Sequence, residues 1–492
     1  MIAKSNVVGS MTDAPGVRLF SSLTLALFYM SFNLASACSQ VDSQEKTGSK
    51  PVKAVSRSEA ISVGVSQLLK IQDKDGAWPY EGVYRVNREI PVGYRIGGTA
   101  ICCQALMYAA ESGEQEFQEA INRAVDVILT ELEDPLMKPS QKDRYDVRVW
   151  GHIYALDLFC RIHCCSRFNE LSKKTDPWIP ILTDWLVSEE LETGGWNYAN
   201  RRAHASFVTA PALQALLWAR QSGQKIPDGI WKRSAEALLR SRNDNAAFAY
   251  SGDEQKNRPS QLPGSIARSA NCEATLSLLG LPRQHAIEQA LDAFYEHWNE
   301  LERRRKKNGT HKPPYGVAPY YFYYGHRYAA LAIQQVPNDK HSAESQRLLQ
   351  MILRTRDSDG TWNDRVFPQS RAYGTAMSVL ALLDQAVPAP ASLNSINADS
   401  THPELVSIHV NPSLISPRLN VEIAPAGNLK LDDKVLKLEE LKTWLVDRPT
   451  QHRPNCILIS ASGETRNRDV ENLKSILSDH YGDVSIFVEV RQ

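Results

Sequence analysis

The chain has 492 residues, 42% apolar and 23% charged, which is length enough for two to four domains and a balance usual for a globular protein. Lysine plus arginine equals aspartate plus glutamate at 56 each, so no global field directs the molecule to nucleic acid or to an anionic membrane surface. The dense basic run at 303–307 follows Glu300 and Glu302 and reads as a solvated helix end.

Lys4 and Arg18 precede an uncharged apolar stretch from Leu19 to Ala37, which closes on Leu34-Ala35-Ser36-Ala37-Cys38. Small residues at 35 and 37 suit a signal-peptidase site. Cys38 in that setting resembles the lipid-attachment cysteine of bacterial lipoproteins. The expectation is an export signal over 1–38, a polar tether over 39–54, and a mature protein held by its N-terminus in the cell envelope or periplasm. Plain secretion and an uncleaved membrane anchor are the alternatives, because the stretch approaches spanning length.

From residue 55 onward the chain repeats. Apolar helices read over 97–110, 149–160, 206–219, 265–279, 320–333 and 371–383. With Thr99, His152, Thr209, Ser269, Gly325 and Thr375 taken as equivalent, the gaps are 53, 57, 60, 56 and 50, the mark of an array of similar units. Amphipathic helices are interposed at 58–71, 117–133, 178–190, 230–242, 285–304 and 343–355. In the first of these, Ile61, Val65, Leu68 and Leu69 keep helical spacing. The interposed helices carry charge on one face, and the others are rich in Ala, Gly and Cys. That contrast predicts an outer and an inner layer. Six such hairpins close into a barrel, so the expected fold is mainly α, an α6/α6 toroid over 55–388.

The turns at 71–80, 191–200, 242–251 and 354–363 share a polar turn, a small residue and an aromatic. Glycine permits the positive-φ step and the ring packs back over the helix end, a stitching role. Six of the eight cysteines fall on or just after the inner helices and are expected to be small buried thiols. Cys160 and Cys164, four apart, share a helix face with His163 and Cys165 nearby, but adjacent ligands on one helix diverge and there is no CxxC pair, so no metal and no cofactor is expected.

A linker over 389–404 leads to a different composition. Strands read at 406–410, 420–423 and 427–431, a helix at 438–446, a strand at 456–460, a helix at 470–480 and a strand at 484–490. The expectation is a small α/β domain of order ββαβαβ over 405–492.

The inner helices bring their N-termini to one rim, where polar side chains would face a cavity. The candidates are Asp146, Arg148, His152 and Tyr154, then His204, then Arg268 and Glu273. Tyr321, Tyr324 and His326 follow, and then Arg371 and Tyr373. Such a rim would suit an anionic head group, and its aromatic wall would stabilise a cation.

The turns resemble the QW-type repeats of squalene/oxidosqualene cyclases and of protein prenyltransferase β subunits. Gly97–Ala110, Val149–Cys160 and Arg371–Leu383 look like that family's inner helices, and the resemblance covers about 55–388. It implies a toroid whose apolar cavity opens at one end. The chain departs from the family's chemistry: no Asp-x-Asp-Asp occurs in the toroid, and Asn271-Cys272-Glu273-Ala274 stands nearest to Asp-Cys-Thr-Ala. Cys272 and His326 follow the order of a prenyltransferase zinc site without its Asp. The resemblance therefore implies a non-catalytic binder of an apolar or isoprenoid-like ligand or of a partner protein. The alternatives are an active terpenoid cyclase or prenyltransferase using Glu273 or His152 to handle protons, and a structural cell-envelope interaction protein. The C-terminal pattern resembles the periplasmic domain of ExbD/TolR-type biopolymer-transport proteins, which carry a membrane helix where this chain has a polar linker.

Overall fold

The computed structural model describes residues 55–81, 89–110, 115–140, 147–198, 202–254 and 259–398, and most of 408–491. The expected export signal, the tether, Cys38 and Asp146 lie outside these. Six pairs of helices run along the chain. The first three pairs are α1 (Arg57–Lys70) with α2 (Val92–Ala109), α3 (Gln115–Leu132) with α4 (Arg148–His163), and, after the short α5 (Asn169–Thr175), α6 (Trp178–Ser188) with α7 (Ser206–Gln221). Then come α8 (Asp228–Ser241) with α9 (Leu262–Leu278), α10 (Gln284–Glu296) and α11 (Trp298–Glu302) with α12 (Tyr321–Ile333), and α13 (Asn338–Arg354) with α14 (Ser370–Leu382). The outer helix expected over 285–304 is broken at His297 into α10 and α11.

The second helix of each pair packs on the next: α2 on α4, α4 on α7, α7 on α9, α9 on α12, α12 on α14, and α14 back on α2. That closure makes an α6/α6 toroid. Its inner helices are buried on all sides, as in α7, where every residue from Ser206 to Ala219 is buried. The outer helices bury one face: α3 buries Ala120, Ile121, Ala124, Val125, Ile128 and Leu132, the spacing of an amphipathic helix.

The turns between outer and inner helices share one hydrogen-bond pattern. In the first, Asp73 donates its amide to Ala77 O and Gly76 donates to Asp73 O, both at 2.9 Å. The same pair recurs at Leu191/Gly194/Gly195, Asn243/Ala246/Ala247 and Asp357/Gly360/Thr361. The aromatic residue that follows is tied on both sides. The indoles of Trp78, Trp196 and Trp362 donate to Leu68 O, Leu186 O and Ile352 O at the ends of the outer helices, at 2.7–2.9 Å. Their backbone amides donate to the hydroxyls of Thr99, Thr209 and Thr375 on the inner helices. In the turn at 242–251 the amide of Phe248 donates to Ser265 Oγ at 2.7 Å, so Ser265 and not Ser269 is the equivalent of those threonines.

After α15 (Leu393–Ala398) the chain forms a five-stranded sheet of order β3-β2-β1-β4-β5, from β1 (Arg418–Ile423), β2 (Asn428–Leu431), β3 (Lys434–Lys437), β4 (Cys456–Ser462) and β5 (Ser485–Arg491). Strands β1, β4 and β5 run parallel, and β2 and β3 form an antiparallel hairpin at the edge. Helices α16 (Leu438–Val446) and α17 (Asn467–Tyr481) provide the crossovers. The strand expected over 406–410 is not formed at Ile408 and Val410, its described members. Val410 and Ile415 are instead buried against the helical core, and the amide of Asn411 donates to Glu236 on α8. The expected strand at 427–431 forms as β2, and β3, unexpected from the pattern, pairs with it at the sheet edge. No helix among the described residues is long and apolar enough to cross a membrane.

The turn at 242–251 holds a strained residue. Gly76, Gly194 and Gly360 take φ of 101°, 85° and 87°, and the matching position in this turn is Ala246 at φ 65°. A left-handed conformation costs an L-residue roughly 1–2 kcal/mol, partly offset by the entropy glycine loses on folding. Ala246→Gly should therefore raise stability by about 1 kcal/mol in urea denaturation, whereas Gly360→Ala should lower it.

Candidate functional site

The buried polar residues of the inner helices divide into two sets. One set points outward and pins the two helical layers together. Glu189, capping α6, accepts from Arg148 Nε at 2.8 Å and lies 3.0 Å from His152 Nδ1. His152 Nε2 lies 2.8 Å from Met137 O, so both ring nitrogens face acceptors and neither is open to a ligand. His204 Nε2 meets Ser241 Oγ on α8 at 2.6 Å. His326 Nε2 accepts from the Trp298 indole of α11 at 2.8 Å, while its Nδ1 donates to Phe322 O at 2.7 Å. Burial drives the pKa of both His204 and His326 down to about 4. Arg268 is spent on the carbonyls of Phe248 and Gly264.

Glu273 belongs to the same set, which removes it as a proton donor. Its carboxylate accepts from Arg242 Nε at 2.6 Å and from Arg283 Nε at 2.8 Å, both from the outer layer. Burial raises its pKa, but the two guanidinium groups outweigh that and hold it below the ordinary value. It is an ionised strut in a fully buried triad. Arg371, also expected at the mouth, is part-exposed and lies 3.9 Å from Asp359 in its own turn.

The second set faces the bore. Tyr373 packs on Tyr80 at 4.3 Å between ring centroids, and Tyr80 lies 5.7 Å from Trp150. Trp150 meets Tyr94 edge-on at 5.4 Å and Tyr154 at 4.9 Å. Gly97 permits this: a Cβ there would stand 2.4 Å from the Trp150 ring. On the neighbouring inner helix Phe207 stacks on Tyr250 at 5.0 Å and meets Tyr198 at 5.4 Å. Pro211 removes the amide that would bond Phe207 O within α7, and Tyr324 donates its hydroxyl there instead at 3.0 Å. Trp150 keeps 8% exposure and Phe207 6%, whereas the turn residues Trp196 and Trp362 keep none. The faces of the bore rings therefore border open space. Of the expected rim residues, the structure brings Tyr154, Tyr324 and Tyr373 together here and sends Arg148, His152, His204, Arg268, Glu273 and His326 elsewhere.

Sequence reading missed the acid of this site. Two residues after the turn aromatic stand Tyr80, Tyr198 and Tyr250, all on the bore. In the last turn that position is Asp364. It is fully buried, and neither carboxyl oxygen closes a hydrogen bond of ordinary geometry among the described residues. Burial lifts its pKa to about 7, against the pull of Arg365 and of the amides of Tyr323 and Asp364 itself. The Tyr323 amide is free because it lies in the first turn of α12. The negative form of Asp364 in turn raises the phenols of Tyr80 and Tyr373, each pushed up first by burial. The buried Tyr80 hydroxyl also lacks a hydrogen-bond partner among the described residues. A carboxyl group lifted to about 7 has the acidity of a general acid near neutral pH.

Among the described residues no three His, Cys, Asp or Glu side chains gather as a metal site. Cys102, Cys103, Cys160 and Cys272 are buried thiols, and Cys164 is exposed.

No family model matches the chain, and no curated protein matches it. Among solved structures it is similar to the GH76A alpha-1,6-mannanase from Salegentibacter sp. HEL1_6, at 11% identity and a TM-score of 0.46 over 67% of this chain and 100% of that one. It is similar to the type II terpene cyclase MstE from Scytonema, at 15% identity and a TM-score of 0.44 over 67% of this chain and 98% of that one. A possible GH105 family member from Klebsiella pneumoniae is similar at 13% identity and a TM-score of 0.40, over 70% and 95% of the two chains. Likenesses this distant transfer no activity.

Two stability measurements check the charge states. Asp364 binds its proton more tightly in the folded chain than at its unfolded value near 3.8, so its contribution is full below that pH and is lost as pH rises through about 7. Asp364→Asn should thus gain stability over wild type progressively between pH 4 and 7, by at most about 4 kcal/mol. A difference that does not change with pH would contradict the protonated carboxyl. Glu273→Gln should cost about 3–5 kcal/mol, because it leaves Arg242 and Arg283 buried without their counter-charge.

Proposed function

We propose that the toroid binds an apolar, isoprenoid-like ligand at the mouth of its bore, against Tyr80, Trp150, Phe207 and Tyr373. The observation that carries this reading is the shared position two residues past each turn aromatic. It sets Tyr80, Tyr198 and Tyr250 around one end of the bore, with Asp364 beside them. Flat aromatic faces with residual exposure suit hydrocarbon, and their quadrupoles suit a cationic centre. Deeper in, the described walls leave a cavity of only about 20 Å³. A ligand of isoprenoid size is therefore confined to the mouth.

A second reading, an active terpenoid cyclase, is favoured by Asp364 alone. Its carboxyl proton would add to a terminal alkene, leaving a carboxylate and a tertiary carbocation facing the rings of Tyr80 and Tyr373. Asp364 replaces Glu273 and His152 in that role, since both of those are bound into the wall between the layers. The third reading is a scaffold with no ligand, in which the toroid and the C-terminal sheet serve as docking modules in the cell envelope.

One experiment separates the three. Purified protein is titrated with squalene and with farnesyl and geranylgeranyl diphosphates, reading tryptophan fluorescence for binding and extracted products by mass spectrometry. Saturable quenching without product is the expected result. A cyclised product lost at least 100-fold in Asp364→Asn would establish the cyclase instead. Neither binding nor product would leave the scaffold.

A further inference from the structure

Below the aromatic mouth the bore narrows to the cavity of about 20 Å³, room for one water-sized body. Its wall includes Gln104, Asp157, Arg161, Gln214, Arg327 and Tyr328. Asp157 is fully engaged: it accepts from Arg161 Nε at 3.0 Å and from Gln104 Nε2 at 2.6 Å. Arg161 also donates to Tyr108 Oη and Pro388 O and lies 4.5 Å over the Trp218 ring. Gln214 donates to Asn271 Oδ1 and Thr275 Oγ1.

Arg327 has no such partners. It is 6% exposed, makes no ion pair or hydrogen bond among the described residues, and holds a fully buried Nη1 with nothing to donate to. Its charged neighbours are Arg161, which repels it, and Asp157, which is already paired. Two guanidinium groups, both almost fully buried, and one carboxylate leave a net charge of one positive unit. A buried cation in that position is costly unless an anion faces it. The cavity offers a second donor: Tyr154 and Tyr328 share one hydrogen bond at 3.0 Å, so the accepting hydroxyl keeps its own proton to give.

We propose that the lower bore binds one monovalent anion of halide size, held by Arg327 and the spare tyrosine hydroxyl. The small volume favours a single-atom anion over phosphate or sulfate, and a water molecule would leave the charge unbalanced. The site lies below the mouth, shares Tyr154 with its wall, and stands whether or not the mouth takes an isoprenoid.

The probe is sodium bromide. Crystals of the full chain grown in it should show an anomalous peak for bromide beside Arg327. Melting temperature should also rise saturably with millimolar bromide, at constant ionic strength, and Arg327→Met should lose that rise. A cavity holding water or nothing in the bromide crystals would overturn the proposal, and so would a bromide response unchanged in Arg327→Met. If that variant does not fold, the wild-type crystal decides alone.

Discussion

The structure depends on one tie, made by the aromatic residue of each outer-to-inner turn. In three of the turns a single tryptophan donates its indole N–H to the end of an outer helix and its backbone N–H to a threonine of the inner helix. Both bonds are buried, so breaking either strands a polar group away from water. The tie fixes the angle between the layers. It also fixes where the chain goes next, and the residue two positions on is delivered to the bore each time. A local hydrogen-bond pattern thereby sets both the curvature of the ring and the lining of its mouth.

The inner helices then work with two faces. Outward, they bury histidine, arginine and glutamate against the outer layer, each bonded to at least one named partner. Glu273 with Arg242 and Arg283 is the most fully charged of these, and Glu189 with Arg148 and His152 repeats the idea one hairpin apart. Inward, they present tyrosine, phenylalanine and tryptophan. Besides the paired Asp157 and Arg161 of the lower bore, two charged groups break this division. Asp364 lies at the mouth without an ordinary hydrogen bond, and Arg327 lies in the lower bore without a counter-ion. Asp364 has neither carboxyl oxygen in an ordinary hydrogen bond and Arg327 has no ion pair among the described residues, which makes them the bore's candidates for a role beyond the fold.

Much of the fold was legible in the sequence because period and composition carry it. The layer each helix joins follows from whether its charge is confined to one face, and α3 and α7 differ on that point at sight. The register was legible only to within a turn of helix. Ser265 and Ser269 lie four apart on one face and bond each other at 2.8 Å, so spacing alone does not choose between them. The site was legible least. Helix α4 buries residues all the way round, so no periodicity tells whether His152 or Tyr154 looks into the bore. Asp364 lies in a turn, one residue beyond the motif as first delimited, and only alignment with Tyr80, Tyr198 and Tyr250 reveals it. In the C-terminal domain the residues near Val410 look like a strand because they are apolar, and they are apolar because they pack on the toroid.

The account centres on a neutral carboxylic acid at the aromatic mouth. Infrared difference spectroscopy measures it directly, by following the protonated-carboxyl C=O band of wild type minus Asp364→Asn across pH. The account predicts a band that disappears with a midpoint near pH 7. A midpoint near 4, the ordinary value of an exposed aspartate, would contradict it.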